Sequence, residues 1–205
     1  MKKKAKFFFF GFGQTAKYFI KELIKSKKKF SFWATNTAKT RNLFCNGKKF
    51  KSFRFKNNNF DNKLIKILQD VDYILVSIPP NKKKDLVLKN FSQILRKSKF
   101  KKLIYLSATS VYGDHSGKWV NENSKLKGKT IFGLGRKIAD KSWTDFRNQT
   151  KLDINILRVA GIYSKDNNVL KKILKTNIYV KEKKYFSRIR IEDLAIIIKK
   201  IFYSS

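Results

Sequence analysis

Phe7–Ile20 reads FFFFGFGQTAKYFI. An apolar run ends at Gly11, a second glycine stands at Gly13, Ala16 follows three residues later, and helical periodicity then begins. Strand, tight turn and helix in that order, with G-x-G-x-x-A at the turn, predict a dinucleotide-binding crossover. Gly11 permits the turn, Gly13 lets backbone approach a pyrophosphate, and Ala16 lets the helix pack close to the strand. The free N–H groups opening the helix, over Gln14 and Thr15, would face the phosphates. An ordinary strand–helix turn that happens to contain glycine is the plainer reading of the same residues.

Outward from this stretch the periodicity alternates between strand and helix. Thr15–Ser26 reads as a helix with Phe19, Leu23 and Ile24 inward. Phe30–Ala34 is a short strand ending at Thr35-Asn36-Thr37. Lys49–Phe55 (KFKSFRF) alternates basic and aromatic residues, which suits a half-buried strand. Its pattern also admits an RNA-binding surface, provided a second such strand lies beside it. Asn62–Gln69 is a short helix, and Tyr73–Ile78 (YILVSI) a buried parallel strand stopped by Pro79-Pro80. Asp85–Ser98 has the helical period at Leu86, Leu88, Phe91 and Leu95. Leu103–Ser107 is a strand, Ala108–Gly128 loop-like, and Ile131–Gln149 a long helix with Ile138, Ala139, Trp143 and Phe146 inward. Ile154–Val159 is a strand, Val169–Leu174 helical, Ile178–Val180 strand-like, and Glu192–Phe202 a closing helix. Such alternation predicts an α/β fold with a doubly wound parallel sheet, Rossmann-like, helices covering both faces.

Composition bounds the rest. The 205 residues are 42% hydrophobic, enough for one domain with a sizeable core. Lys and Arg number 49 against 14 Asp and Glu, a net charge of +35. That field attracts polyanions at low salt. The lysines are spread along the chain, beside abundant Asn, Phe and Ile, so codon bias explains them ahead of a specific nucleic-acid role. One cysteine, Cys45, and one histidine, His115, leave no disulfide, no Cys/His metal site and no Ser-His-Asp triad. The apolar part of Met1–Phe10 is too short for a signal peptide and is interrupted by Gly11, and no stretch is long enough to span a membrane. A soluble, cytoplasmic protein is expected.

About twenty residues past the glycines, dinucleotide-binding folds place an acid on the ribose. Here Thr35-Asn36-Thr37 carries none, while Lys39 and Arg41 follow. A basic residue there suits the 2′-phosphate of NADP; two more solvated cations in a basic chain is the equal alternative.

Leu103–Asp114 (LIYLSATSVYGD) brings a resemblance into view. With GFGQTA, YILVSIPP, LSATSVYGDHSGKWVNE, GLGRKIADKSW, ILRVAGIY and FSRIRIEDLA in order, the chain resembles the extended short-chain dehydrogenase/reductases. Within them it looks closest to the nucleoside-diphosphate-sugar epimerase-like branch of the NAD-dependent epimerase/dehydratase family. The resemblance implies NAD or NADP as cofactor, with a slight tilt to NADP, a nucleotide-sugar substrate, and homodimers. It places the dinucleotide on Gly11, Gly13, Gln14, Thr15 and Ala16 at the bend. Thr35, Asn36 and Arg41 take the ribose end, Ser77, Ile78 and Pro79 follow the YILVSI strand, and Arg136 lies on the long helix.

In that family a Ser/Thr, a Tyr and a Lys assist hydride transfer, the Tyr as acid/base with its pKa lowered by the Lys. Carried over residue by residue, the three positions fall on Ala108, Phe132 and Arg136. Phe132 has no proton to exchange, Ala108 cannot hydrogen-bond a carbonyl, and Arg136 keeps only the charge. Ser107 and Thr109 should project to the wrong side if the strand continues, and Tyr112 matches a structural tyrosine. Arg158 and Ala160–Tyr163 match the segment shaping the floor of the site, and Asp193 can support the last helix's N-terminus. Relatives of this type continue past the I-x-x-x-D-L-A helix, so one Rossmann domain over 1–205 is expected, with a reduced substrate lobe built from 164–187. Three functions stay open: an NAD(P)-dependent oxidoreductase or epimerase with a degraded triad, a dinucleotide-binding sensor or partner without chemistry, and a charge-driven nucleic-acid binder.

Overall fold

The computed structural model describes residues 4–81, 84–165, 167 and 187–204. Its main sheet has eight strands: β1 (Ala5–Phe10), β2 (Phe30–Asn36), β3 (Arg41–Cys45), β4 (Lys48–Lys56), β5 (Asn59–Phe60), β6 (Tyr73–Val76), β7 (Lys102–Ala108) and β8 (Ile154–Val159). They lie in the order β3-β4-β2-β1-β6-β7-β8, with β5 paired to β4. All pairings are parallel except those of β3 and β5 with β4. A small second sheet pairs β9 (Gly161–Tyr163) with β10 (Arg188–Arg190), both unforeseen. The helices are α1 (Gln14–Lys25), α2 (Lys63–Leu68), α3 (Leu86–Lys97), α4 (Ile131–Thr150) and α5 (Ile191–Tyr203).

The opening phenylalanines explain why β1 is central. Successive side chains of a strand point to opposite faces. Phe7 and Phe9 therefore enter one core with α1 and α5, while Phe8 and Phe10 enter the other with α2, α3 and α4. All four are fully buried. Burying a side chain of this size is worth about 1.5–3 kcal/mol. Four of them on one strand rival the net stability of a whole domain. Phe7 stacks on Tyr73 at 5.0 Å and meets Phe19 and Phe202 edge-on, and Phe10 packs on Phe91 at 5.2 Å. The sheet with helices on both faces is the doubly wound α/β fold expected from the sequence.

Four local expectations need correction. Lys49–Phe55 is more buried than a half-buried strand: Lys49 and Arg54 stay exposed, but Phe50 and Ser52 enter one core and Phe53 and Phe55 the other, because β4 lies between β2 and β3. The crossover from β2 to β4 carries no helix; residues 37–47 instead contain β3, antiparallel to β4 at the sheet's edge. In α3 the fully buried positions are Val87, Phe91 and Leu95, with Leu86 and Leu88 only half-buried. Asp85 sets that phase, accepting the backbone N–H groups of Val87 and Leu88 and the indole N–H of Trp143. In α4, Ala139, Trp143 and Phe146 are buried and Ile138 is only half-buried. The helix expected at Val169–Leu174, the strand at Ile178–Val180 and most of 164–187 lie outside the described residues. Among the described residues no helix is long and apolar enough to cross a membrane.

Candidate dinucleotide site

The strand order reverses direction between β1 and β6, and at such a switch point the carboxyl ends of the strands leave a crevice. The glycine bend stands there. Gly11 has φ +90°, and a Cβ on it would come within 2.6 Å of Ile78 Cγ2. Both facts require glycine. Its N–H donates to Thr35 Oγ1 at 2.9 Å, and the Ser77 hydroxyl reaches the carbonyls of Phe10 and Gly11 at 3.1 and 3.2 Å. Thr35 and Ser77 thus hold the bend between the ends of β2 and β6.

Gly13 differs. It is the N-cap of α1, and nothing lies within 4 Å of the place a Cβ would take. No side chain caps the helix, and its first turn carries no acid. The first amides of α1 therefore lack intrahelical acceptors and lie at the positive end of the helix dipole. A diphosphate fits those amides. Thr15 and Ala16 are buried in the same turn, with Ala16 against the strand side as expected of a small residue. Gln14 turns aside, its Nε2 donating to Ser164 Oγ at 2.6 Å.

A cleft of about 480 Å³ opens beside the bend. Gly11, Ile78, Thr35 and Asn36 line it together with Phe12, Lys17 and the rings of Phe44, Phe50 and Phe55. Asn36 ends β2. Its Nδ2 donates to Ser52 Oγ at 2.7 Å, which fixes the amide, and its Oδ1 is buried without a hydrogen-bond partner. An orphaned acceptor at this strand end suits a hydroxyl donor. Arg41 opens β3 opposite Ser52 and is exposed, outside the cleft lining; Pro79 is exposed after β6. The aromatic wall supplied by Phe12, Phe44 and Phe50 was not read from the sequence. The Phe12 ring meets Phe50, tilted and 4.5 Å between centroids, only because β4 folds beside β2.

The other end of the crevice, beyond β7, carries the three relay positions. Ala108 ends β7 with a methyl group. Phe132 projects from the first turn of α4 into solvent, 85% exposed. Arg136 donates through Nη1 to the Leu106 carbonyl at 3.0 Å, which ties it to β7 and away from the cleft lining. Beneath them Ser107, Asp140, Arg158 and Tyr112 form one hydrogen-bonded network. Ser107 donates to Asp140 Oδ2 at 2.7 Å, Arg158 pairs with both Asp140 oxygens at 2.9 and 3.1 Å, and its Nη1 donates to the Tyr112 hydroxyl and the Glu122 carbonyl. The Asp140 hydrogen bond and charge raise the Arg158 pKa further above its already high value. Burial pushes the Asp85 carboxyl up, and it pushes the Tyr105 phenol, stacked on Trp143 at 5.1 Å, well above the usual range.

Strand alternation holds for Ser107, which faces α4. It does not govern Thr109, because β7 ends at Ala108 and a 3-10 turn, Thr109–Val111, begins. Tyr112 is buried against Arg158, as expected of a structural tyrosine. His115 Nε2 lies 3.0 Å from the Lys125 carbonyl on the exposed loop. Its partner is an acceptor, so Nε2 is the protonated nitrogen.

No protein-family model and no curated protein sequence matches the chain. Solved structures do. A conserved protein of unknown function from Silicibacter pomeroyi is 24% identical, over 98% of this chain and 70% of that one, with a TM-score of 0.78. UDP-N-acetylglucosamine 4-epimerase from Methanobrevibacter ruminantium M1, solved with UDP-N-acetylmuramic acid, is 17% identical over 100% and 74%, at 0.79. The fold is that of the UDP-sugar epimerases. UDP-glucuronic acid 4-epimerase from Bacillus cereus, solved with UDP-glucuronic acid and NAD, is 17% identical over 98% and 74%, at 0.76.

Proposed function

We propose that this protein binds a nicotinamide dinucleotide in the β1–β6 crevice, on the fold of the nucleotide-sugar epimerases. The observation that carries the reading is the uncapped start of α1 facing open space at Gly13. The amides of Gln14, Thr15 and Ala16 would hold the diphosphate, Asn36 a ribose hydroxyl, and the Phe12–Phe44–Phe50 wall the base. Between the two dinucleotides, the Asn36 acceptor favours NAD. A 2′-hydroxyl can donate to it, whereas a 2′-phosphate cannot and would also need Arg41 turned into the cleft.

NAD, when bound, supplies hydride exchange. The chain's own positions matched to the relay supply no matching proton transfer: Ala108 and Phe132 lack a titratable group, and the Arg136 side chain is engaged with the Leu106 carbonyl. We therefore infer a dinucleotide-binding protein that senses or presents its ligand, with a nucleotide-sugar as the companion ligand by analogy with the epimerases. Residues 1–205 form one domain in this reading, with 164–187 on the substrate side.

Titrating NADH and NADPH by fluorescence tests it. Saturable binding with NADH tighter is expected, and no saturation by either overturns the reading. Wild-type protein should leave UDP-N-acetylglucosamine unchanged. Turnover by the wild type would place a working relay elsewhere in the chain and overturn the non-catalytic assignment.

A further inference from the structure

The uncovered face of the β3–β4 hairpin is organised as a platform of which the dinucleotide reading uses only Phe44. Phe44 lies directly opposite Lys49, and Asn42 opposite Lys51, in the antiparallel register. Cross-strand partners share a face. Lys51 is also in register with Trp33 of β2, so Trp33, Lys51 and Asn42 form one row, with Lys49 and Phe44 beside it. Phe53, two residues on from Lys51, places this face on the α2–α3–α4 side, and the Lys51 ammonium sits 5.5 Å from its ring. The helices stop short of the hairpin. Phe44 is 72% exposed and Trp33 half-buried. Among the described residues neither Lys49 nor Lys51 has an ion-pair partner within 4.0 Å; Asp61, held by Thr40, is the acid whose charge couples to Lys51.

We propose that this face binds single-stranded RNA. Two exposed or half-exposed rings flanking unpaired lysines suit bases stacked between phosphates. A duplex keeps its bases stacked on one another and can meet only the lysines. Asn42, beside Lys51, offers a donor and an acceptor to a ribose 2′-hydroxyl. The net charge of +35 supplies the sequence-independent attraction, and the rings supply the preference for unpaired bases. The strand beside Lys49–Phe55 is not a second basic–aromatic one: β3 brings Phe44 and Asn42 to the face, and β2 brings Trp33.

Fluorescence anisotropy tests this with a labelled oligouridine of about twelve nucleotides, the same length of duplex RNA, the matching single-stranded DNA, and heparin, at about 50 and 200 mM salt. The expected result is oligouridine binding tighter than all three at the higher salt. Phe44→Ala should weaken it roughly five- to hundredfold, the loss of one stacked base. Lys49→Gln with Lys51→Gln should lower the salt slope by roughly 1.4 while leaving the NADH titration unchanged, since neither lysine lines the cleft. Phe44→Leu and circular dichroism control for folding: a folded Leu variant with affinity near that of Ala supports stacking. The proposal is overturned if heparin, duplex or DNA binds as tightly, or if folded Phe44→Ala binds as wild type. It is equally overturned if Phe44→Ala dissolves a dimer that forms without RNA, which would assign the face to a second copy.

Discussion

The two ends of the crevice are built differently. At the β1–β6 end the geometry belongs to the backbone: Gly11 at φ +90°, an open Gly13 and the bare first amides of α1. At the β7–β8 end it belongs to side chains: Asp140 is 1% exposed and is bonded by Ser107 and both faces of the Arg158 fork. The first end has what a diphosphate needs. The second retains a rigid floor, yet the groups that would work above it are a methyl, an exposed phenyl ring and an arginine tied to Leu106. Scaffold and chemistry are therefore separable in this fold. Breaking the buried Asp140–Arg158 pair is costly, whereas Phe132 projects into solvent, where a substitution leaves the core intact.

The largest expected effect lies at the floor. Asp140→Ala leaves the Arg158 guanidinium and the Ser107 hydroxyl without their buried partner, and should cost about 3–5 kcal/mol in chemical denaturation. A loss under about 1 kcal/mol would show that Arg158 finds other acceptors and that the floor is not held by this pair. Next comes the bend. Gly11→Ala must accept a positive φ and displace Ile78, and should lose about 1–3 kcal/mol together with NADH binding. If it loses neither, the bend is pliable and the contrast between the two ends disappears.

The smallest effect joins the helices on the far face. Glu22 of α1 receives Lys199 of α5 at 2.6 Å, and that hydrogen bond holds its carboxyl below the usual glutamate range despite partial burial. A depressed native pKa means that the pair stabilises the fold above the unfolded glutamate value of about 4.3. That contribution fades as pH falls through the lower native value. Glu22→Gln should therefore cost about 0.5–1 kcal/mol at neutral pH and nothing near pH 2. An equal loss at both pH values would assign the effect to packing instead of charge.

Much of this was legible in the sequence, for physical reasons that differ by region. FFFFGFGQTA carries its meaning locally, because a strand buried on both faces, a forced turn and a helix start each impose their own residue types. The strand at Tyr73–Val76 and the helix at Ile131–Thr150 announced themselves by continuous and by periodic apolar residues. β3 did not. Arg41–Cys45 is short, half-exposed and strand-forming only through its pairing with β4, so it has no periodicity of its own. The tie between Arg136 and the Leu106 carbonyl is likewise tertiary, joining α4 to a strand thirty positions earlier. Asn36 shows the limit from the other side. Its position marked it for the ribose, but only the fold reveals that Ser52 fixes its amide and leaves Oδ1 unmet.

Gly13→Val is the most direct test of the claim that backbone amides at the start of α1 hold a dinucleotide. The new side chain enters open space, so the thermal midpoint should stay within a degree or two of wild type, while NADH, which saturates the wild type, should no longer bind. Undiminished NADH affinity in a folded Gly13→Val protein would contradict the account, because the ligand would then be held by surface charge alone.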